Sequence, residues 1–110
     1  MPPASAILER IDTTSIIFRL EGQWRLDTFG GLTRQMHDAL DTHPDRQLVL
    51  RCNRLEFVDS QALAALLGLS RRCGERGRRV QLLDPPAMLV NLLQLTRLDV
   101  MFEVVRTGDN

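Results

Sequence analysis

Short apolar runs alternate with segments of helical period along the whole of this chain. That alternation restricts the fold more than any other feature. AILERID (6–12) and SIIFRLEG (15–22) read as two strands, with Thr13-Thr14 as the turn between them and Gly22 closing the second. They are expected to pair as a hairpin. Across 27–42, Phe29, Leu32, Met36, Ala39 and Leu40 recur near a 3.6-residue period. This predicts a helix capped by Asp27 or Thr28 and ended by His43-Pro44-Asp45. Gln47–Cys52 is a largely apolar run of the kind buried in the middle of a sheet. A second helix is expected from Ser60 to about Arg76, stopped by Gly74 and Gly77. Its inner stripe is Leu63, Leu66, Leu67, Ser70 and Cys73, flanked by Ala62, Ala65 and Leu69. Val80–Leu83 is a further strand. Residues 86–97 form a third helix with Leu89, Leu92, Leu93 and Thr96 inward, and Phe102–Val105 a last strand.

The order is therefore ββαβαβαβ. Strands separated by helices imply right-handed parallel crossovers, and the opening hairpin adds an antiparallel edge. The 110 residues suit one α/β domain with a mixed sheet of about five strands and three to four helices. Residues 1–5 are expected to be loose, 6–106 to form the domain and 107–110 to be a polar tail. Hydrophobic residues make up 44% of the chain, enough for burial to offset ordering entropy.

Charge excludes several functions. Fourteen basic and fourteen acidic residues cancel, which argues against a nucleic-acid or anionic-membrane role. Every basic residue is Arg, so Schiff-base lysine chemistry and a P-loop lysine are ruled out. Cys52 and Cys73 form no CxxC and have no ligand-spaced histidines; they read as buried small apolar residues in a reducing compartment. His37 and His43 miss the i,i+4 spacing of a helical metal pair, so neither a metal nor another cofactor is expected. The start, MPPASAILER, lacks a basic segment followed by a long apolar run, and no apolar stretch reaches the roughly 20 residues of a membrane span. The expected address is the cytosol, with no direct membrane insertion.

Three places stand out. Asp59-Ser60 ends an apolar run where a helix begins. Both residue types are favoured N-caps, and a hydroxyl there could also carry a phosphate, because a helix start presents unpaired N–H groups and partial positive charge. Arg71, Arg72, Arg76, Arg78 and Arg79 crowd the end of the same helix; they suit its dipole as a solvated helix end, or form a phosphate or nucleic-acid patch. Trp24 lies on a polar segment and reads as core cover at the sheet edge or as a partner-binding anchor.

The run from Leu48 to Val105 resembles the STAS domain, the sulphate-transporter and anti-sigma-factor-antagonist family, and a weaker likeness extends over residues 6–106. The matching parts are the strand Leu48–Leu50, the apolar pair Phe57-Val58, Asp59-Ser60, Ala62-Leu63 opening a Leu-rich helix, a Gly followed by a strand, the helix of PPAMLVNLLQLTRLD, and a Phe-centred strand. The family's helix usually opens Ser-Ser-Gly-Leu; here it reads Ser60-Gln61-Ala62-Leu63. The resemblance implies a non-enzymatic switch in bacterial transcription regulation. A serine-kinase anti-sigma factor would phosphorylate Ser60, a phosphatase would reverse it, and Asp59, Ser60, Gln61 and Ala62 would meet the partner. The alternative it implies is a subunit of a bacterial lipid-transport ABC complex that sits on the ATPase through the same surface, with no phosphate cycle.

Overall fold

The computed structural model describes residues 4–25 and 31–107. The expected caps Asp27 and Thr28, the inward Phe29 and most of the expected loose N-terminus and polar tail lie outside the described residues. The remaining elements run in chain order as β1 (Ser5–Ile11), β2 (Ser15–Trp24), α1 (Leu32–Thr42), β3 (Gln47–Val58), α2 (Ser60–Gly74), β4 (Val80–Leu83), α3 (Ala87–Leu95), a 3₁₀ turn at Asp99–Met101 and β5 (Phe102–Val105). The five strands form one sheet in sequential order, β1-β2-β3-β4-β5. The β1–β2 pair is antiparallel and the other three pairs are parallel.

Sequential order has a consequence for the layers. Each crossover from β2 onward steps the same way across the sheet, and right-handed crossovers then put every helix on the same face. A single apolar core shows this arrangement. Ile16, Phe18, Leu20 and Trp24 of β2, Leu48, Leu50 and Cys52 of β3, and Leu82 of β4 pack with Met36 and Leu40 of α1, Leu66 and Leu69 of α2, and Leu89 and Leu93 of α3. Phe18, Leu50 and Leu82 stand in register across three strands and are each almost fully buried.

The opposite face carries a ladder of ion pairs. Glu9 meets Arg19 and Arg51, both at 2.9 Å, and Glu21 meets Arg19 at 2.8 Å and Arg54 at 3.8 Å. Burial pushes the Glu9 carboxyl up, but the hydrogen bonds from Arg51 and Arg19 outweigh it and hold the group below its ordinary value. Partly exposed pairs of this kind contribute about 0–1 kcal/mol each, so the helix-covered face supplies most of the stability and the ladder keeps the other face wet.

Two strands run further than their sequence pattern predicts. β2 passes through Gly22, which adopts φ 84°, and continues to Trp24. β3 does not stop at Cys52 but extends through Asn53–Phe57 to Val58, paired there with β2 alone. Its register slips once between the Arg19 and Glu21 pairings and again between those of Gly22 and Gln23. The slips place the inward residues of β3 at 48, 50 and 52, then at 55 and 58. An added residue at each bulge breaks the two-residue period that identifies a strand.

Smaller departures lie on the helices. The buried positions of α2 are Ala62, Leu63, Leu66, Leu69, Ser70 and Cys73, while Leu67 is half-buried, so the inner stripe is rotated toward the expected flank. Thr96 does not face inward; it is the exposed C-cap of α3, and its Oγ1 donates to Leu92 O at 2.7 Å. Ser70, the buried polar residue of α2, donates from Oγ to Met101 O at 2.5 Å and so ties α2 to the 3₁₀ turn. Trp24 is fully buried on β2, an inner strand, and its Nε1 donates to Glu21 O at 3.1 Å. It is core, as the first of the two readings has it, and cannot serve as an exposed anchor.

Arg72 of α2 joins the two helices. Its Nη1 donates to His37 O at 3.0 Å and meets His37 Nδ1 at 3.1 Å, and its Nη2 pairs with Asp41. Burial, reinforced by the Arg72 charge, holds the His37 imidazole below its ordinary pKa of 6.5 despite Asp41 and Asp38 nearby. The unfolded chain therefore takes up this proton first as pH falls, and the folded chain only at lower pH. Stability should be level above about pH 7 and decline as pH drops below 6.5. The shifted carboxylates of Glu9, Asp12 and Asp84 are all lowered from values of 4.5 or less and act in a more acidic window. Thermal melts at stepped pH should show the decline, and His37→Asn, which keeps an acceptor for Arg72, should remove that component of the slope. An unchanged slope in the variant would assign the decline elsewhere.

The cysteines are free and buried. Burial, with a smaller contribution from Asp84, pushes the Cys52 thiol up to about 12, and burial also raises Cys73. Neither should react with Ellman's reagent in the folded protein. Labelling through a denaturant series should follow the unfolded fraction, and rapid stoichiometric labelling under native conditions would contradict the packing of Cys52 on β3 or of Cys73 on α2.

Candidate partner-binding site

The end of β3 fixes the start of α2. Trp24 and Val58 are the last register partners of the β2–β3 ladder, and the next amide, that of Asp59, donates to Trp24 O at 3.0 Å. Asp59 keeps extended backbone angles, φ −85° and ψ 177°, and is the N-cap. Its Oδ1 accepts from the Ala62 amide at 2.8 Å, and its carbonyl accepts the first helical bond from the Leu63 amide at 2.9 Å. The sequence left the cap open between Asp59 and Ser60; the geometry assigns it to Asp59.

Ser60 then occupies the first helical position with its side chain exposed, and Gln61 beside it is exposed as well. Asp59 is half-buried. Ala62 is fully buried, so it sets the depth at which this turn sits on the core while Ser60 and Gln61 face outward. The amides of Ser60 and Gln61 donate to no acceptor among the described residues and lie at the positive end of the helix dipole. Helices of this length end in roughly half a unit of charge, which favours an anion at the first turn.

The neighbourhood holds one cation that the sequence did not single out. Arg25 follows Trp24, and its guanidinium lies 4.9 Å from the centre of the Phe57 ring, with Nη2 donating to Gln23 Oε1 at 2.7 Å. Nothing in a one-dimensional reading links Arg25 with Phe57; the β2–β3 register, which pairs Gln23 with Phe57, brings them together. The other places singled out lie elsewhere: Arg72, Arg76 and Arg78 gather at the far end of α2, and His37 is bound to Arg72 rather than to His43. Among the described residues no helix is long and apolar enough to cross a membrane.

The cap and the exposed hydroxyl should separate by mutation. Asp59→Ala removes the bond to the Ala62 amide and should cost about 1 kcal/mol by chemical denaturation. Ser60→Ala, exposed and outside the cap, should stay within about 0.5 kcal/mol. A larger loss at Ser60 than at Asp59 would reverse the two roles.

Comparison with known proteins converges on one fold. Over 92% of this chain and 87% of the other, the unphosphorylated form of the anti-sigma factor antagonist SpoIIAA superposes with a TM-score of 0.72 at 19% identity. The phosphorylated form of the Bacillus cell fate determinant SpoIIAA covers 96% and 93% with a TM-score of 0.75, also at 19% identity. A putative anti-sigma factor antagonist from Thermotoga maritima, TM1081, covers 91% and 85% with a TM-score of 0.78 at 17% identity. No curated protein sequence matches. The family model described as "Mlab, STAS domain" matches residues 7–106, nearly the whole chain, and the protein therefore belongs to the STAS domain family.

Proposed function

We propose that this chain is a non-enzymatic anti-sigma factor antagonist that binds a serine-kinase anti-sigma factor through the start of α2 and is switched by phosphorylation of Ser60. One observation carries the reading. Asp59 caps the helix with its own carboxylate, so Ser60 is exposed on the first turn with no structural task among the described residues. A phosphate there adds about 1.5–2 negative charges beside the Asp59 carboxylate, with the helix end as its counterweight. The core need not move, because Ala62 and Leu63 are anchored by Asp59 and not by Ser60. The switch is thus electrostatic: the unmodified turn offers Asp59, Ser60 and Gln61 over buried Ala62 to the partner, and the modified turn repels it. A phosphatase completes the cycle.

The transport-subunit reading shares this surface but assigns Ser60 no modification. The family description mentions Mlab, whereas the solved likenesses include both the unphosphorylated and the phosphorylated form of an antagonist, and these support the switch.

Incubation with the cognate kinase and ATP should add one phosphate, located on Ser60 by mass spectrometry and abolished by Ser60→Ala. The modified protein should bind the kinase at least about tenfold more weakly, or about 1.4 kcal/mol. Ser70 is not an alternative acceptor in the folded chain, since it is 3% exposed and bonded to Met101 O. Phosphate found at another residue, or affinity unchanged by phosphate on Ser60, would overturn the proposal. Tight binding to a transport ATPase that is indifferent to Ser60 phosphorylation would favour the second reading.

A further inference from the structure

The opposite end of α2 carries a second charged feature, independent of Ser60. Arg46, Arg72, Arg76 and Arg78 line one concavity with Cys73, where the C-terminal turns of α1 and α2 face each other. Both turns are built to deliver arginines. After α1, the Arg46 amide closes a turn on His43 O at 3.2 Å. After α2, Gly77 adopts φ 73°, and the Arg78 amide folds back to Cys73 O at 3.0 Å, which lays Arg78 against the last helical turn.

Two of the four guanidiniums are held in place. Arg72 is fixed by His37 and Asp41, and Arg46 donates from Nη1 to Asp12 O at 2.7 Å. Arg46 Nε is buried without a hydrogen bond, and its ion-pair partner among the described residues, Asp45, lies 3.5 Å away. Arg76 and Arg78 form no ion pair or side-chain hydrogen bond among the described residues. Arg72 and Arg78 both pull the Cys73 thiol down against the effect of its burial, which places their charges beside the concavity. Among the described residues, the ion pairs of these four guanidiniums go to Asp45 and Asp41, which leaves Arg76 and Arg78 without an ion-pair partner. The carbonyl ends of the helices tolerate such charge but do not neutralise it.

We infer that this concavity binds a phosphomonoester dianion, its two free charges matched by Arg76 and Arg78 and its edge oriented by Arg46 and Arg72. Guanidinium forks suit phosphate oxygens in pairs. The enclosed part is small, about 20 Å³, enough for one water-sized group. One phosphoryl head therefore enters by an oxygen, and whatever it is attached to stays in solvent.

The test uses the whole chain and inorganic phosphate at constant ionic strength, followed by calorimetry and by the amide and Arg Nε–H signals in NMR. At about pH 7.5, where the dianion is the major form of the phosphate, saturable binding is expected, with shifts confined to the turns around Arg46 and Arg78. Affinity should fall about tenfold in an Arg76→Gln/Arg78→Gln variant, and comparably for the wild type at about pH 5, where the ligand is a monoanion. The substituted side chains have no internal partner, so the variant should melt with the wild type. Glycerol phosphate and phosphatidylcholine vesicles containing phosphatidate separate a soluble source from a lipid headgroup, and binding of either at these arginines supports the inference. Absence of saturation by about 50 mM phosphate together with no vesicle binding, shifts centred on Ser60, or full affinity in the double variant would each overturn it.

Discussion

One hydrogen bond holds the candidate site in place: the Asp59 amide to the Trp24 carbonyl, at 3.0 Å. It is the last rung of a parallel ladder that has already left β4 behind. Beyond it the chain turns, Asp59 spends its carboxylate on the Ala62 amide, and the helix begins. Trp24 buries its whole surface beneath that rung and satisfies its indole N–H on Glu21 O, so the rung rests on packed core and not on a loose strand end. Were the ladder to end at Cys52, as the sequence pattern suggests, the exposed hydroxyl would sit on a tether. Because it continues to Val58, Ser60 is presented from a fixed platform.

The order of elements and the mixed sheet were legible because they rest on periodicity, which is local. Helical spacing at Leu63, Leu66 and Cys73, the glycines at the end of α2 and Pro86 before α3 all report structure that forms within a few residues. What was not legible depends on partners distant in the chain. The extension of β3 was hidden by bulges, which give buried positions at 52, 55 and 58 the look of a loop. Gly22 reads as a terminator, yet β2 uses its left-handed φ within the strand. Trp24 read as core cover or as an anchor because its sequence neighbours are polar, and the alternation of β2, which turns it inward, decides for the core. At the site, Asp59-Ser60 was visible as a pair, but which of them caps could be decided only by geometry. Arg25 was invisible because the Phe57 ring it covers belongs to the neighbouring strand.

The two faces of the sheet show how a small α/β domain divides its labour. All the crossovers fall on one side, so the three helices share a single core with β2–β5. The uncovered side is kept from sticking to other molecules by charges that answer one another across strands, Glu9 reaching both Arg19 and Arg51. The irregularity of β1 between Leu8 and Arg10 adds to this, since a bulged edge with charged side chains is a poor template for a foreign strand.

Helix α2 has 15 residues, a span of about 22 Å between the hydroxyl at one end and the arginines at the other. In physiological salt the Debye length is about 8 Å, so charge placed at one terminus is almost entirely shielded from the other. The helix works as an insulated rod. Any message that passes along it has to be mechanical, a small rotation or slide of the whole segment, and Ser70 in its C-terminal third, clasped to the Met101 carbonyl, is where such a movement would be resisted.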